Sequence, residues 1–477
     1  MTNWLKRLLP KSKFARGVGV LVGGTAGAQA LGVLAAPILT RLYSPDDFGL
    51  LAVYASLLAL CGVIASLRYE LAIPLPEDDE QAAHLVVLSG LLVLGTTTLV
   101  AILVWLAGDP LAEVLGAPRL ASYLWLLPVG ILFSGTYSVF RYWAIRTQSF
   151  GAVARTTVWQ SLSTLLIQIA GFKFGAVSLL VGQAGGQGVG TLSLGTLFSQ
   201  SAKLKRCTWR AICQQASRYK RFPIFSTWEG LFNTAGTQLP PLLFAILFSP
   251  AAAGLYSLAN RVLSLPMSLI GGAIGQVFFA NAAQAHREGR LGQLVAQLHS
   301  KLAHVGLPPA LLLILAGPEL FAWVFGAEWR QAGEFARWMA PWLYLVFVSS
   351  PLSTLFAVME QQKQGLAFQV ILLTARLVAL YAGATTGDLL STVILFSTAS
   401  AVCWLGFVLW IGYKTGNPIR AMMKPTLEAA MYALVCGLPL AVILLINPSI
   451  AHAWLYGLLF SAALVAVRIL HLLRKAY

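Results

Sequence analysis

The chain has 477 residues, of which 58% are hydrophobic and only 10% are charged. Soluble domains carry roughly 25% charged residues, so this composition excludes a secreted enzyme and a cytosolic catalytic domain. The formal net charge is +16, but the basic residues flank apolar segments and act first as topology signals, so no nucleic-acid partner is expected. The five cysteines form no CxxC pair, which indicates neither a disulfide framework nor a zinc site.

Apolar segments follow one another along the whole chain, each close to the ~20 residues that a membrane-spanning helix needs. They lie near residues 17–39, 49–66, 82–107, 120–143, 153–171, 174–199, 223–247, 252–279, 300–322, 332–357, 365–386, 388–413, 427–446 and 449–469. The first is longer than the roughly 7–15 apolar residues of a signal peptide, so we interpret it as an uncleaved span. The pattern predicts an all-α integral membrane protein with about fourteen transmembrane helices.

The basic residues predict how these helices are oriented. With a cytoplasmic N-terminus, 26 of the 33 Lys and Arg residues fall on the cytoplasmic side, four fall outside and three lie within spans. Because cytoplasmic loops carry an excess of basic residues, both termini are predicted to be cytoplasmic. The acidic loop from Pro76 to Glu80 also falls inside, but acidic residues count little in this rule.

A short sequence occurs twice. Leu42–Leu50 and Leu247–Leu255 align without gaps and share Leu, Ser, Pro, Gly and Leu at an offset of 205 residues. Both copies join an odd-numbered span to the next, as expected for two parallel repeats related by an axis along the membrane normal. We therefore predict two pseudo-symmetric six-helix lobes, over 1–199 and 223–413, with a basic cytoplasmic loop over 200–222 between them. Residues 414–477 would form helices 13 and 14 and a cytoplasmic tail.

The basic loop has the pattern of an amphipathic helix. Its two faces comprise Trp209, Ile212 and Ala216 on one side, and Lys203, Arg206 and Arg210 on the other. Such a helix could lie on an anionic leaflet. A role as a topology determinant is the simpler explanation.

Polar residues recur at helical spacing inside the predicted spans. A charge at a helix centre costs about 2.5–3.5 kcal/mol on insertion scales, so such residues should face a wet cavity or a partner. They are Thr25 and Gln29; Ser134, Ser138 and Arg141; Gln160, Thr164 and Gln168; Ser226, Glu229, Asn233 and Thr237; Asn260 and Arg261; and Arg376. We interpret them as the lining of a central cavity with excess positive charge. Packing between helices and an ion pair between Glu229 and Arg261 stay open as alternatives.

Other motifs carry no chemistry. The glycine-rich run from Gly182 to Gly190 lacks the Gly-Lys-Ser/Thr of a nucleotide-binding loop. Its Gly182, Gly186 and Gly190 recur every four residues, which favours close helix packing. No catalytic residue, metal site or cofactor is predicted, and we expect no enzyme activity.

Several short motifs together resemble the Wzx-type polysaccharide or O-antigen flippases of bacteria. They are Thr40–Gly49, Leu67–Pro76, Tyr219–Pro223, Gln238–Pro240, Gly254–Tyr256, Val324–Trp329 and Pro351–Ser353. This family belongs to a superfamily that also contains multidrug exporters and the peptidoglycan-precursor flippase. The resemblance implies a V-shaped, alternating-access transporter in the inner membrane. Its implied substrate is an oligosaccharide repeat unit on undecaprenyl diphosphate, moved from the cytoplasmic to the periplasmic or outer leaflet.

Combined with the polar pattern, the resemblance assigns roles to particular residues. We expect a substrate-binding set of Arg41, Arg68, Arg141, Arg261, Arg376, Asn233 and Gln238. Arginine suits this role because its planar guanidinium binds phosphate oxygens in pairs. Glu229 is expected to carry the coupling ion, which is a proton or sodium. A polysaccharide polymerase is a further partner that the resemblance allows.

Two other functions stay open. A cation-coupled multidrug exporter of the same superfamily should have a cavity dominated by aromatic and acidic residues rather than arginines. A membrane glycosyltransferase or polymerase would need a large external loop with catalytic residues, and the longest external loop, near Asp109–Arg119, has about a dozen residues.

Overall fold

The computed structural model describes residues 13–201, 208–266, 271–446 and 453–475, and these residues form helices and turns without a strand. The predicted all-α class is therefore confirmed. Packing divides the chain into two compact units, residues 1–257 and 258–477, and the division falls inside a helix.

The described residues of the first unit form nine helices and the start of a tenth. They are α1 (Lys13–Leu34), α2 (Ala36–Leu42), α3 (Pro45–Ile64), α4 (Asp79–Val114), α5 (Leu126–Arg146), α6 (Phe150–Ala170), α7 (Ala176–Ser201), α8 (Trp209–Arg218), α9 (Thr227–Leu247) and α10 (Pro250–Pro266). The second unit contains the end of α10 and the remaining helices. These are α11 (Gly272–Arg287), α12 (Leu291–Phe325), α13 (Arg330–Ser349), α14 (Leu355–Val358), α15 (Gln362–Ala384), α16 (Leu389–Lys414), α17 (Ile419–Ile446) and α18 (Ala453–Lys475).

Every predicted span coincides with one helix or with two consecutive helices. Seven spans in the described part of the chain are long and apolar enough to cross a membrane: α1 with α2, α3, α4, α12, α15, α16 and α17. Large apolar side chains such as Leu99, Val402 and Leu434 are exposed on these helices, as expected for surfaces that face lipid. The total of fourteen spans and the side of each terminus stay predictions.

Helices α6 and α7 pack closely through two matching stripes. A Cβ atom built on Gly182 would lie 2.6 Å from Cγ of Gln168, and one built on Gly186 would lie 2.9 Å from the carbonyl oxygen of Gln160. A Cβ on Gly190 would overlap the Gln160 side chain. The prediction of close packing at these glycines is confirmed. The stripe of Gln160, Thr164 and Gln168 faces α7, so the expectation that it lines a cavity is wrong.

The repeated sequence builds the same local structure twice. Ser44 caps α3, its hydroxyl accepting a hydrogen bond from the Asp47 amide, while the Asp47 carboxylate accepts from Ser44 in return. In the second copy the Ser249 hydroxyl accepts a hydrogen bond from the Ala252 amide at 3.2 Å. A Ser at the N-cap and a Pro at the first helical position both favour a helix start here.

The two copies also contact each other reciprocally, within the first unit. A Cβ atom on Gly49 would overlap the carbonyl of Pro250, and one on Gly254 would overlap the carbonyl of Pro45. Each glycine thus contacts the backbone of the proline that begins the helix of the other copy. This exchange is the contact expected between two elements related by a pseudo-two-fold axis.

In the second unit, a proline determines where an intramembrane arginine binds. Pro318 has no N–H, so the carbonyl of Ile314 in α12 lacks its helical partner. Arg337 of α13 donates from Nε to this oxygen at 2.8 Å and also pairs with Glu334 at 3.3 Å. A close approach of Gly317 and Gly333 brings the two helices together beside this contact.

One end of the first unit is held together by Arg146 at the end of α5. Its guanidinium donates to the carbonyl of Glu77 at 3.0 Å, to that of Ile73 at 3.4 Å and to that of Pro76, and it pairs with Asp79 at 3.0 Å. The acidic loop and the inner end of α5 therefore lie together, as the predicted orientation of the chain requires.

The amphipathic helix forms as α8, but it packs against the protein. Ile212 is buried, and the carbonyl of Ala216 accepts a hydrogen bond from the Tyr69 hydroxyl at 2.9 Å. Arg218 donates to the Gln81 side chain of α4 at 3.1 Å. Trp209, expected on the same face as Ile212, is 70% exposed. Lys203 and Arg206 lie outside the described residues.

Candidate functional site

A strained turn after α3 presents the first of the predicted arginines. Leu67 and Arg68 both have left-handed backbone angles, with φ of 48° and 63°. Non-glycine residues seldom adopt this conformation, which is strained and persists only where the surrounding structure holds it. The short 3₁₀ helix Tyr69–Ala72 follows directly. The turn thus fixes the direction in which the Arg68 side chain leaves the backbone.

The Arg68 guanidinium packs on α9 at a glycine. A Cβ atom on Gly230 would lie 2.8 Å from Nε of Arg68 and 2.9 Å from its Cζ, so any other residue would displace the arginine. The Arg68 side chain is 29% exposed. Glu229, the residue before Gly230, is exposed on the same helix. The Arg68 side chain therefore packs on α9 at the residue that follows Glu229 in the chain.

Glu70 is a buried acid in the same turn. It is only 3% exposed, accepts a hydrogen bond from the Ser66 hydroxyl, and lies 3.7 Å from Nη1 of Arg68. Burial raises the pKa of this carboxyl above its usual value, because a charged group loses its hydration there. The hydrogen bond from Ser66 and the charge of Arg68 offset part of this rise. Glu70 therefore keeps its proton to a higher pH than an exposed glutamate.

Arg141 of α5 joins the same group. Helix α5 packs against the 3₁₀ helix Tyr69–Ala72, and its Tyr142 lies close enough to Arg68 and Glu70 to be influenced by their charges, with the exposed Arg141 as its neighbour in the chain. We refer to Arg68, Glu70, Arg141 and Tyr142 as the basic cluster. Two of the predicted arginines are thus brought together, with an acid and a phenol that the sequence did not single out as ligands.

Most of the predicted polar stripe is exposed on α9. Glu229, Asn233 and Thr237 are exposed and Ser226 is half-buried, while their place in a wet cavity stays a prediction. Gln238 is instead engaged with α3, where its side-chain oxygen accepts a hydrogen bond from the buried Ser56 hydroxyl at 3.1 Å. The Gln238 side chain therefore helps to hold α9 against α3.

The other predicted arginines belong to other helices. Arg41 is exposed in the last turn of α2, just before α3, whereas Arg68 follows α3. A helix of 20 residues is about 30 Å long, so Arg41 and Arg68 stand at opposite ends of α3. Arg261 is exposed on the part of α10 that belongs to the second unit. The ion pairs within the described residues include neither Glu229 nor Arg261.

Arg376 lies among aromatic rings of the second unit. Its guanidinium carbon is 4.9 Å from the centre of the Trp342 ring and 5.4 Å from that of Phe396. Its Nε donates to the Ser400 hydroxyl at 3.0 Å. Aromatic faces attract a cation, and the attraction strengthens where water is excluded. These contacts explain how an arginine is tolerated in the middle of α15.

The described residues contain no group of three or more His, Cys, Asp or Glu side chains that could hold a metal ion. The charged groups of the basic cluster can bind an anion and exchange a proton. A guanidinium donates charge-assisted hydrogen bonds to phosphate oxygens, and the Glu70 carboxyl can bind or release a proton.

Comparison with known proteins identifies the family. A family model described as polysaccharide biosynthesis protein matches residues 38–334. The succinoglycan biosynthesis transport protein ExoT of Rhizobium meliloti (strain 1021) is 25% identical over 450 residues, which are 88% of this chain and 85% of ExoT. The lipopolysaccharide biosynthesis protein WzxC of Escherichia coli (strain K12) is 24% identical over 306 residues, or 63% of this chain and 61% of WzxC.

Solved structures share the fold. The lipid II flippase MurJ in an inward closed conformation has a TM-score of 0.73 at 12% identity, covering 96% of this chain and 99% of that one. An inward-facing multidrug resistance transporter of the MATE family has a TM-score of 0.58 at 16% identity, covering 85% and 95%. The resemblance to polysaccharide flippases is confirmed, and the chain shares its fold with structures of a flippase and a multidrug transporter. The chain is a multi-pass protein of the bacterial inner membrane and belongs to the polysaccharide biosynthesis protein family.

Proposed function

We propose that this protein is a flippase for undecaprenyl-diphosphate-linked oligosaccharide repeat units. It moves them from the cytoplasmic to the periplasmic leaflet of the inner membrane by alternating access. The names of ExoT and WzxC, which refer to succinoglycan transport and lipopolysaccharide biosynthesis, support a saccharide cargo. The fold shared with the lipid II flippase MurJ supports a lipid-linked form of that cargo.

The basic cluster is the observation that carries this proposal. A diphosphate brings negative charges that lose hydration on entering a transporter, and arginines can replace the lost water contacts with paired hydrogen bonds. Arg68 is held in one direction by a strained turn and by Gly230, and Arg141 adds a second positive charge nearby. The polyprenyl tail can stay in the lipid during the whole movement.

The positions of the arginines suggest a sequence of contacts. The predicted orientation puts Arg68 and Arg141 at the cytoplasmic side and Arg41 at the periplasmic side. In this proposal the headgroup first binds Arg68 and Arg141 and later meets Arg41 at the other end of α3. Asn233, Gln238, Arg261 and Arg376 stay predictions as further substrate ligands.

A proton is the proposed coupling ion, with sodium as the alternative. Glu229 is the proposed carrier, because it is exposed on α9 next to the glycine that receives Arg68. A carboxyl in this position can exchange protons with solvent in one state and respond to the substrate charge in another. Glu70 is a second carboxyl in the same region, and substitution of each by Gln separates their roles.

The alternative function is a cation-coupled multidrug exporter. The fold shared with a MATE transporter favours it. Against it stands the excess of positive charge in the basic cluster, which repels cationic drugs and attracts phosphates.

The proposed function can be tested in the native bacterium. Depletion of the protein should make complete undecaprenyl-diphosphate repeat units accumulate on the inner side of the membrane, measured by mass spectrometry of lipid-linked oligosaccharides. An Arg68→Gln and Arg141→Gln double variant should fail to reverse the accumulation, because each lost charge-assisted hydrogen bond weakens binding by roughly 1.5–3 kcal/mol. Arg155→Gln, which removes an exposed arginine of α6, should reverse it fully. Increased sensitivity to cationic dyes without accumulation would instead favour the exporter.

A further inference from the structure

Glu70 is the acidic partner of an arginine that the proposed function assigns to the substrate. Its Oε1 lies 3.7 Å from Nη1 of Arg68, and its Oε2 accepts a hydrogen bond from the Ser66 hydroxyl. The Glu70 carboxyl is buried, whereas the Arg68 side chain is partly exposed. A phosphate that arrives from outside can therefore reach the guanidinium of Arg68 but not the carboxyl of Glu70.

The hydrogen-bond donors of Arg68 are only weakly engaged by the protein. The distance of 3.7 Å to Glu70 exceeds that of a hydrogen bond, so the contact is an electrostatic attraction and not a paired, two-bond contact. Within the described residues, Nε of Arg68 is buried without a hydrogen-bond partner. Phosphate oxygens would therefore be better acceptors for Arg68 than the acceptors that it has in the protein.

The groups around Glu70 determine which of them can change charge near neutral pH. Helices α4 and α5 and the segment Phe222–Ser226 pack on the 3₁₀ helix that carries Glu70, and α9 packs on Arg68. The segment Phe222–Ser226 has no titratable side chain. On the nearby helix ends, the titratable residues are Asp79, Glu80 and His84 of α4, Arg141, Tyr142 and Arg146 of α5, and Glu229 of α9.

Two of these titratable groups are buried and able to change charge. Guanidinium and phenol groups keep their protons at neutral pH. Asp79 is paired with Arg146, and both Glu80 and Glu229 are exposed, so these carboxyls stay ionised. The buried titratable residues that are left are Glu70 and His84, and of these two Glu70 is the one that contacts Arg68.

A bound phosphate changes the electrostatic surroundings of Glu70. Burial raises the pKa of the Glu70 carboxyl, and the charge of Arg68 offsets part of this rise. A diphosphate on Arg68 neutralises that positive charge and brings negative charge close to the carboxyl. Both effects favour the protonated form of Glu70.

We propose that Glu70 takes up one proton when the substrate diphosphate binds Arg68, so that proton and lipid-linked saccharide strengthen each other's binding. This inference rests on the proposed flippase function. The proton comes from water and forms an O–H bond on the Glu70 carboxylate, while the guanidinium exchanges its contact with Glu70 for phosphate oxygens. The Ser66 hydroxyl can serve both states, because a hydroxyl donates to a carboxylate and accepts from a carboxylic acid. When the diphosphate leaves, the charge of Arg68 acts on Glu70 again and the proton is released.

The proposal fixes the direction of the pH dependence. Substrate affinity should rise as the pH falls, by up to about tenfold per pH unit, which is the limit for one proton. Both phosphates of a glycosylated polyprenyl diphosphate are esterified, so the charge of the substrate itself stays constant near neutral pH.

Calorimetry on the full-length protein tests this linkage. The probe is the lipid-linked oligosaccharide that accumulates in depleted cells, purified and titrated into the protein in detergent micelles. Titrations in two buffers of different ionisation enthalpy give the number of protons taken up, and a pH series gives the affinity. The wild type should take up a proton, to at most one per substrate, and bind more tightly at lower pH.

Variants of Glu70 separate proton uptake from a structural role. Glu70→Gln imitates the protonated state, so it should take up no proton and bind at every pH about as tightly as the wild type does at low pH. Glu70→Asp keeps a carboxyl and should keep the uptake. The control is Glu77→Gln, which removes an exposed carboxyl of the neighbouring loop and should behave like the wild type. A misfolded variant would bind more weakly, which is the opposite of the result expected for Glu70→Gln.

The outcomes separate this inference from the proposed function. Binding by the wild type without proton uptake would overturn the inference and leave the flippase standing. Uptake that persists in Glu70→Gln would transfer the proton to another group such as His84. Weaker binding by Glu70→Gln at every pH would mean that the carboxylate only holds Arg68 in place, and the proposal would again fall. If no lipid-linked oligosaccharide accumulates on depletion, the flippase proposal itself fails.

Discussion

At the scale of single residues, an arginine inside a span or just after one has more than one explanation. Arg337 supplies the hydrogen bond that Pro318 cannot make to Ile314, so its position follows from the helix break. Arg376 is stabilised by aromatic faces and a serine hydroxyl. Arg68 differs from both, because a strained turn and a glycine hold it beside exposed polar residues. Of the three, it is therefore the strongest candidate for a substrate ligand.

Glu70 should make the stability of the protein depend on pH. Its folded-state pKa is raised by burial, so the folded protein binds more protons than the unfolded chain once the pH exceeds the ordinary carboxyl value. Stability from this residue is then fully present at low pH and is lost as the pH rises through the raised pKa. Glu70→Gln removes this titration. As the pH rises through the raised pKa, the melting temperature of the wild type should therefore fall relative to that of the variant.

A matched variant controls for the other titrating groups. Glu77 lies in the same loop and is exposed, and its side chain takes part in no described ion pair. Glu77→Gln removes a carboxyl from the surface of the same loop and serves as the matched control, measured over the same pH range. A pH-independent difference for Glu70→Gln would contradict the assignment of a raised pKa to this carboxyl.

At the scale of elements, the spacing of residues predicted which of them share a helix face, but not always what that face contacts. Glycines at every fourth position of α7 predicted close packing, and the structure confirms it. The same spacing of Gln160, Thr164 and Gln168 was interpreted as a cavity lining, because periodicity shows that residues share a face and not what that face contacts. The left-handed turn at Leu67 and Arg68 contains no glycine or asparagine, so no local signal marked it. The fold class was therefore predictable, whereas the basic cluster needed the three-dimensional structure.

The reciprocal contact of the two repeats should tolerate no added methyl group. Gly49→Ala and Gly254→Ala each push a Cβ atom into the backbone carbonyl of a proline, which cannot rotate away. Overpacking of this kind costs about 1–3 kcal/mol, so both variants should melt at a lower temperature than the wild type. Gly62→Ala in α3 meets nothing within 4 Å and should leave the melting temperature unchanged or slightly higher. An equal fall in melting temperature in all three variants would mean that alanine is unfavourable in these helices in general, and that the contact between the two repeats is not the cause.

At the scale of the whole molecule, the charge pattern and the contacts of the first unit agree. Arg146 binds Pro76, Glu77 and Asp79 of the acidic loop and Ile73 just before it, and Arg218 of α8 binds Gln81 at the start of α4. Through these contacts the basic helix α8, the acidic loop and the end of α5 lie together at one end of the first unit. The positive-inside rule assigns this end to the cytoplasm, which is where the proposed substrate is first bound.

Cysteine labelling tests this orientation directly. In a variant without the five native cysteines, Glu77→Cys and Asp109→Cys place single thiols at exposed positions near the two ends of α4. A membrane-impermeant maleimide added to spheroplasts should label the Asp109→Cys variant, and should label the Glu77→Cys variant only after the membrane is permeabilised. The reverse pattern would invert the orientation. The basic cluster would then face the periplasm, and first binding of the substrate at Arg68 and Arg141 from the cytoplasmic leaflet would have to be abandoned.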